Sequence, residues 1–259
     1  MKFKSRNGFR LAYTEAGAGG PPLLLVHGGT CNHTHMLPLM GHFMRRHRVI
    51  NVDVRGHGES DAPEDARYTY QEINEDLTWL CGELGVEKPI GIGHSYGGST
   101  LLQLSVDYPD FLSGIVLLDT GVRSAESRMA EIGPAMTMTP QQQQAFLKGR
   151  LFGPDDPPAL RDRIASEMGD TPAHVGRDIR STTVSFDATA AAEQFKGPGL
   201  FLLADRPFTD PDTLARLGPN WRVGQVVGSG HFIQMFAPEQ VNPMIERFIE
   251  LSFAATGRA

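Results

Sequence analysis

At 259 residues, with 40% apolar and 21% charged side chains, the chain has the size and composition of a folded globule with one large α/β domain or two small ones. A formal net charge of −6 leaves no basic footprint for nucleic acid, and apolar runs such as PPLLLV and GLFLLA are too short to cross a bilayer. The two cysteines, Cys31 and Cys81, have neither metal-ligand spacing nor a disulfide framework, and the N-terminal segment lacks the apolar core of a secretory signal. The expectation is a cytoplasmic protein with no nucleic-acid or membrane partner, its oligomeric state left open.

In chain order, residues 9–16 and 22–27 read as strands separated by the turn AGAGGP, and RVINVDV (48–54) as a third. Between them, THMLPLMGHFMRRH predicts a short helix interrupted near Pro38. YTYQEINEDLTWLCGELG sets Ile73, Leu77, Leu80, Cys81 and Leu84 on one helical face, with Gly85 as a stop. KPIGIGHS is a short buried strand, STLLQLSVDYP a helix and SGIVLLD another buried strand. Strands apolar throughout, alternating with helices, predict a mostly parallel sheet covered on both faces. After Asp119 the rhythm breaks, and residues 122–197 read as a helical insertion. GPGLFLLAD and RVGQVVGSGH then resume the strands, and PEQVNPMIERFIEL closes the chain as a helix with Val241, Ile245, Phe248 and Leu251 at helical spacing. The expected division is a core of residues 1–121 and 198–259 with a cap of residues 122–197.

The stretch IGIGHSYGGST carries the chemistry. A serine between a buried strand and a helix, with glycines two positions away on either side, is what a nucleophile elbow requires. The turn is tight enough to force Ser95 into a strained conformation, so Gly93 and Gly97 must be small. The following helix aims its N-terminal N–H groups at the reacting centre. No Lys follows as in a phosphate-binding loop, and the glycine spacing is not that of a dinucleotide loop.

The chain as a whole resembles the α/β-hydrolase fold family. LLLVHGGT matches the strand and His-Gly turn, DVRGHGES the turn after the next sheet strand, GHSYGG the elbow, and GSGHFIQMFAPEQV the loop of the catalytic histidine, all in the family's order. The resemblance implies an α/β-hydrolase core with Ser95 as nucleophile and His231 as base. The backbone N–H groups of Gly29 and Tyr96 would form the oxyanion hole, with no metal or cofactor. His27 is expected to hold the oxyanion loop, His57 to be structural and His94 to pack beside the elbow. His42, His47 and His174 are expected at the surface.

The acid departs from the commoner pattern, in which it follows the strand corresponding to LFLLAD. If Asp205 takes the glycine of that turn, the acid position falls on Phe208. Asp119, at the end of the preceding sheet strand, is the preferred acid, with Asp205 and Asp210 as alternatives. Haloalkane dehalogenases and cofactor-independent quinolone dioxygenases resemble this chain in placing an acid there. A dehalogenase or an epoxide hydrolase would need an aspartate where Ser95 stands, whereas the dioxygenases keep a serine and use a His/Asp pair.

The leading expectation is therefore a serine hydrolase of small to medium carboxylic esters, acting through an acyl-enzyme on Ser95. A cofactor-free dioxygenase using His231 and Asp119 is the alternative, and a non-catalytic ligand-binding protein of the same fold is a third. The substrate would be an apolar ester or an aromatic compound. Met129, Met136, Met138 and Phe146, with Leu147, Leu151 and Phe152, would supply an adaptable apolar wall. His33 or His35 could touch a polar substrate group, and Met136 and Phe146 are further candidate contacts. No cluster of Arg or Lys marks an anion site, although Arg123 and Arg128 lie close to a strand end.

Overall fold

The computed structural model describes residues 1–133, 138–209 and 211–253. Eight strands form one sheet: β1 (Lys2–Arg6), β2 (Phe9–Ala16), β3 (Leu23–Val26), β4 (Val49–Asp53), β5 (Ile90–His94), β6 (Gly114–Leu118), β7 (Gly199–Leu203) and β8 (Trp221–Gln225). Their order across the sheet is β1-β2-β4-β3-β5-β6-β7-β8. β1 and β2 pair antiparallel, as do β2 and β4, and every other pairing is parallel. The strand β1 lies outside the segments expected from the sequence.

Alternation along the central strands divides the apolar residues between two faces. Leu24 and Val26 of β3, Leu117 of β6 and Phe201 of β7 join a cluster with Ile73 and Leu77 of α2 (Tyr70–Glu83) and Leu101 of α3 (Tyr96–Asp107). Leu23, Leu25, Val116 and Leu202 point the other way, to Leu39 and Phe43 of α1 (Leu37–Phe43) and Ile245 and Phe248 of α11 (Pro238–Phe253). Strand β5 departs from this symmetry. Its isoleucines face α1 and α11, and only Gly91 and Gly93 face α3. A Cβ on Gly91 would stand 2.9 Å from Leu101 Cδ2. Glycine on that face lets α3 lie directly against the strand, so the IGIG repeat sets the distance between the sheet and the helix that follows Ser95.

Pro38 does not interrupt α1. A 3₁₀ turn at His33–Met36 leads into the helix, and Pro38 sits in its first turn, where a missing N–H costs no hydrogen bond. Among the described residues, the segment between β6 and β7 forms five α-helices: α4 (Ala125–Ile132), α5 (Pro140–Leu151), α6 (Pro158–Met168), α7 (Ala173–Ser185) and α8 (Ala188–Gln194). Thr139 caps α5 in a reciprocal capping box with Gln142, so PQQQ begins a helix. Two short helices complete the set among the described residues, α9 (Pro211–Ala215) and α10 (Ile233–Phe236). No helix among the described residues is long and apolar enough to cross a membrane.

Candidate active site

A cavity of about 230 Å³ lies beyond the carboxyl ends of the central strands, where open α/β sheets take their ligands. The segments after β3, β5, β6, β7 and β8 all reach it, and α7 and the end of α5 form its other wall. Ser95 and His231 both line it.

Ser95 caps α3 with φ 51° and ψ −113°, a conformation strained for any residue with a Cβ. Its N–H donates to Leu118 O (3.0 Å), and its C=O accepts from Ser99 N (3.1 Å), so both neighbouring elements fix the turn. A Cβ on Gly93 would stand 2.6 Å from the carbonyl carbon of Gly97, and one on Gly97 would collide with the carbonyls of Val26 and His27. Close approach, and not only the sharp turn, demands glycine at both positions. Among the described residues the Ser95 hydroxyl has no hydrogen-bond partner; before substrate binds, catalytic hydrogen bonds are often long or poorly aligned.

Asp119 is the acid that reaches His231: its Oδ2 lies 2.7 Å from Nδ1 of the imidazole. Its Oδ1 accepts from the N–H groups of Ala204 (3.1 Å) and Phe208 (3.4 Å), so both carboxylate oxygens are engaged in a fully buried setting. The backbone at Asp119 is also left-handed, with φ 41°, and its N–H donates to Leu202 O (2.7 Å). Asp205 is exposed and does not approach the imidazole, and Asp210 lies outside the described residues. Phe208, which stands where the commoner acid would fall, instead packs its ring 4.4 Å from that of His231.

The backbone of His231 is held from two sides. Its N–H donates to Leu151 O (2.8 Å), and its C=O accepts from Nε2 of His94 (3.0 Å). Buried Asp156 takes the N–H groups of Gly153 (2.7 Å) and Gly230 (2.9 Å), tying the loop of His231 to the segment after α5. Nothing in the sequence around Asp156 announced that role, because its two partners are 3 and 74 residues away.

The Gly28-Gly29 loop is held by histidines. His27 Nδ1 donates to Gly28 O (2.8 Å) while its Nε2 accepts from Val54 N (3.2 Å). His57 Nε2 accepts from Thr30 N (3.2 Å), and its Nδ1 donates to Arg55 O (2.9 Å). These bonds require neutral rings, and burial supplies them: it pushes His27 down to about 3 and lowers His57 and His94 as well. Gly29 faces the residue after Ser95, since a Cβ there would stand 3.3 Å from Tyr96 Cβ.

Several expected contacts fall elsewhere. His33 and His35 do not line the cavity. His33 Nδ1 lies 2.9 Å from Asp53 Oδ2 and His35 Nε2 2.7 Å from Glu167 Oε2, so the charge of buried Asp53 and the α6 carboxylate draw the rings away. Met129 is 48% exposed, whereas Leu151 does reach the wall together with Met168, which the sequence did not single out. Met136 lies outside the described residues, as does the side chain of Phe146. His42, His47 and His174 lie at the surface but half-buried: His42 pairs with Glu246 (3.0 Å), His47 with Pro21 O (2.9 Å), and His174 packs edge-on against Tyr68. The question that Arg123 and Arg128 leave open in the sequence is answered by the fold. Arg123, Arg128, Arg150 and Arg180 converge on the cavity from 58 residues of chain, and no carboxylate stands among its described lining residues.

The profile of the alpha/beta hydrolase fold matches residues 21–174, more than half of the chain. The chain belongs to the alpha/beta hydrolase fold family. Within it, the chain is 28% identical to 2-(acetamidomethylene)succinate hydrolase of Mesorhizobium japonicum over 253 residues, covering 89% of this chain and 88% of that protein. It is 32% identical to epoxide hydrolase 4 of Mus musculus over 199 residues, covering 74% of this chain and 54% of that longer protein. Among solved structures, a thermophilic esterase from Thermogutta terrifontis, determined with malate bound, superposes with a TM-score of 0.81 at 25% identity, covering 96% of this chain and 97% of that one. The family's fold accounts for the mostly parallel sheet and for the position of the elbow between β5 and α3.

Proposed function

We propose that this member of the family is a serine hydrolase that cleaves small carboxylic esters, or closely related acyl compounds, through an acyl-enzyme on Ser95. The observation that carries the reading is the 2.7 Å contact between Asp119 and His231 beside a strained serine in one cavity.

With Asp119 accepting its Nδ1–H, the imidazole presents a bare Nε2 that can take the Ser95 proton. The freed oxygen attacks the carbonyl carbon, and the resulting oxyanion is received by the N–H groups of Gly29 and Tyr96. His231 returns the proton to the leaving alkoxide as the C–O bond breaks. A water molecule then repeats the sequence on the acyl-enzyme, releasing the acid and restoring Ser95. The Mesorhizobium relative, a hydrolase by name, supports acyl chemistry on this scaffold. A serine at the elbow argues against the direct epoxide opening suggested by the name of the mouse relative, because serine is no carboxylate nucleophile.

The test is hydrolysis of a chain-length series of p-nitrophenyl esters by the wild type and by Ser95→Ala, with fluorophosphonate labelling of Ser95 alongside. Turnover and labelling that both vanish in the variant support the acyl-enzyme. A variant that keeps most of its activity refutes it and returns the question to the His231/Asp119 base of the dioxygenase reading.

A further inference from the structure

We propose that the substrate carries a free carboxylate, and that Arg128 is the residue that receives it; this rests on the reading of the cavity as an acyl-transfer site. The clearest observation is a buried cation that no carboxylate among the described residues touches, Asp187 acting on it only through space. Arg128 is 5% exposed, lines the cavity, and has no carboxylate hydrogen-bonded to it among the described residues. Its Nη2 donates to Ser99 Oγ (3.2 Å) and to the carbonyl of Gly121, both neutral, and its Nε–H is buried with no acceptor. The guanidinium carbon stands 5.6 Å from the centre of the Phe186 ring, which walls off solvent on that side.

Burying a guanidinium among neutral groups is costly and brings nothing to packing that a methionine or leucine would not bring more cheaply. The cost is offset when an anion enters, because the planar fork matches a carboxylate and every bond it makes is charge-assisted. Burial already lowers the affinity of Arg128 for its proton, the mark of a cation short of a partner. Ser99 and Thr183 line the same cavity and bring hydroxyl groups to it. Arg180, also on the wall, adds positive charge to a cavity in a chain whose net charge is −6.

The position of Arg128 limits the substrate further. Its anchor Ser99 is one helical turn beyond Ser95 on α3, about 6 Å along the axis. A carboxylate there lies only a few bonds from a carbonyl in contact with Ser95. The cavity, at about 230 Å³, is also smaller than the pockets of roughly 300 to 1,000 Å³ that hold drug-sized ligands. Both point to a short-chain half-ester, or an equivalent acyl derivative, of a dicarboxylic acid.

The experiment separates binding from turnover. Titration calorimetry on Ser95→Ala measures succinate against butyramide, a neutral compound of similar length, and the measurement is repeated in Ser95→Ala/Arg128→Gln and Ser95→Ala/Arg128→Lys. In parallel, wild type is offered monoethyl succinate and ethyl butyrate, with acid release followed at constant pH. The expected result is succinate binding with butyramide silent, weakened about 10- to 100-fold by Gln and less by Lys, which keeps the charge but loses the fork. Wild type should prefer the half-ester by a similar factor. If the Gln variant does not fold, the preference for succinate and its reduction in the Lys variant decide. Failure of succinate to bind the folded Ser95→Ala protein, or equal binding in the Arg128 variants, overturns the proposal. Succinate binding through Arg128 in a protein inert toward every ester would instead uphold the anion site and refute the acyl-transfer reading.

Discussion

Replacing Asp119 by asparagine tests the reading of the site with the least disturbance of shape. Oδ1 of Asp119 faces two backbone donors, Ala204 N at 3.1 Å and Phe208 N at 3.4 Å, while Oδ2 faces His231 Nδ1 at 2.7 Å. An asparagine keeps its carbonyl oxygen toward the two N–H groups, because the flipped amide would set donors against both. Its NH₂ is then turned toward Nδ1 of His231. That nitrogen must become an acceptor, so the ring proton moves to Nε2, the atom that has to take the proton of Ser95. A histidine in the wrong tautomer typically costs about 10⁴-fold in kcat, equivalent to about 5.4 kcal/mol at 1.36 kcal/mol per decade. The assay is the steady-state rate on the best p-nitrophenyl ester, with a thermal melt to confirm that Asp119→Asn is folded. A folded variant within about tenfold of wild type would show that Asp119 does not orient the base, and the mechanism derived from the 2.7 Å contact would be wrong.

Two further outcomes follow from the same geometry. Gly93→Ala places a methyl group 2.6 Å from the carbonyl of Gly97, and overpacking of this kind costs about 1 to 3 kcal/mol; urea unfolding should show that loss, and ester turnover should fall with it. The buried imidazole of His27 makes stability depend on pH. Its folded value is near 3, while the unfolded chain takes the proton near 6.5. Stability is therefore complete above about pH 6.5 and is lost as the pH falls toward 3, at about 1.4 kcal/mol per unit for this one group once well below 6.5. Urea unfolding between pH 5.5 and 4 should give a shallower slope by about that amount in His27→Gln, and an unchanged slope would mean that another group is responsible.

What the sequence revealed about this site was local. Gly93, Ser95 and Gly97 lie in one pentapeptide, and the need for small residues beside a serine between strand and helix can be read without coordinates. Asp119 was legible because it is the first residue after a buried strand, even though the usual acid position had become Phe208. The arginines were not legible in the same way. Arg123, Arg128, Arg150 and Arg180 are scattered over α4, α5, α7 and the loop before them, and only the folding of that segment over the strand ends makes them neighbours. The apolar character expected of the wall came from counting methionines, but Met129 turns outward while arginines turn inward. His33 and His35 misled for a related reason: a histidine beside the Gly28-Gly29 loop in sequence can still be captured by a carboxylate from elsewhere in the fold, buried Asp53 for His33 and Glu167 of α6 for His35.

The ladder of backbone bonds beneath the site has a consequence for how the protein comes apart. Ser95 hangs from Leu118 on β6, and Asp119 hangs from Leu202 on β7, so the proposed nucleophile and acid are rungs of the same three central strands. Helix α3 buries nine residues beside them, whereas α6, across the cavity, buries only Ile164. Segments with few buried contacts open at lower free energy than those built into the core. Under mild denaturant or heat, then, α6 should loosen first and admit the wrong substrate past Met168, while the strands still hold Ser95 and Asp119; His231 stays in place only as long as Leu151 and Asp156 keep their grip on its loop.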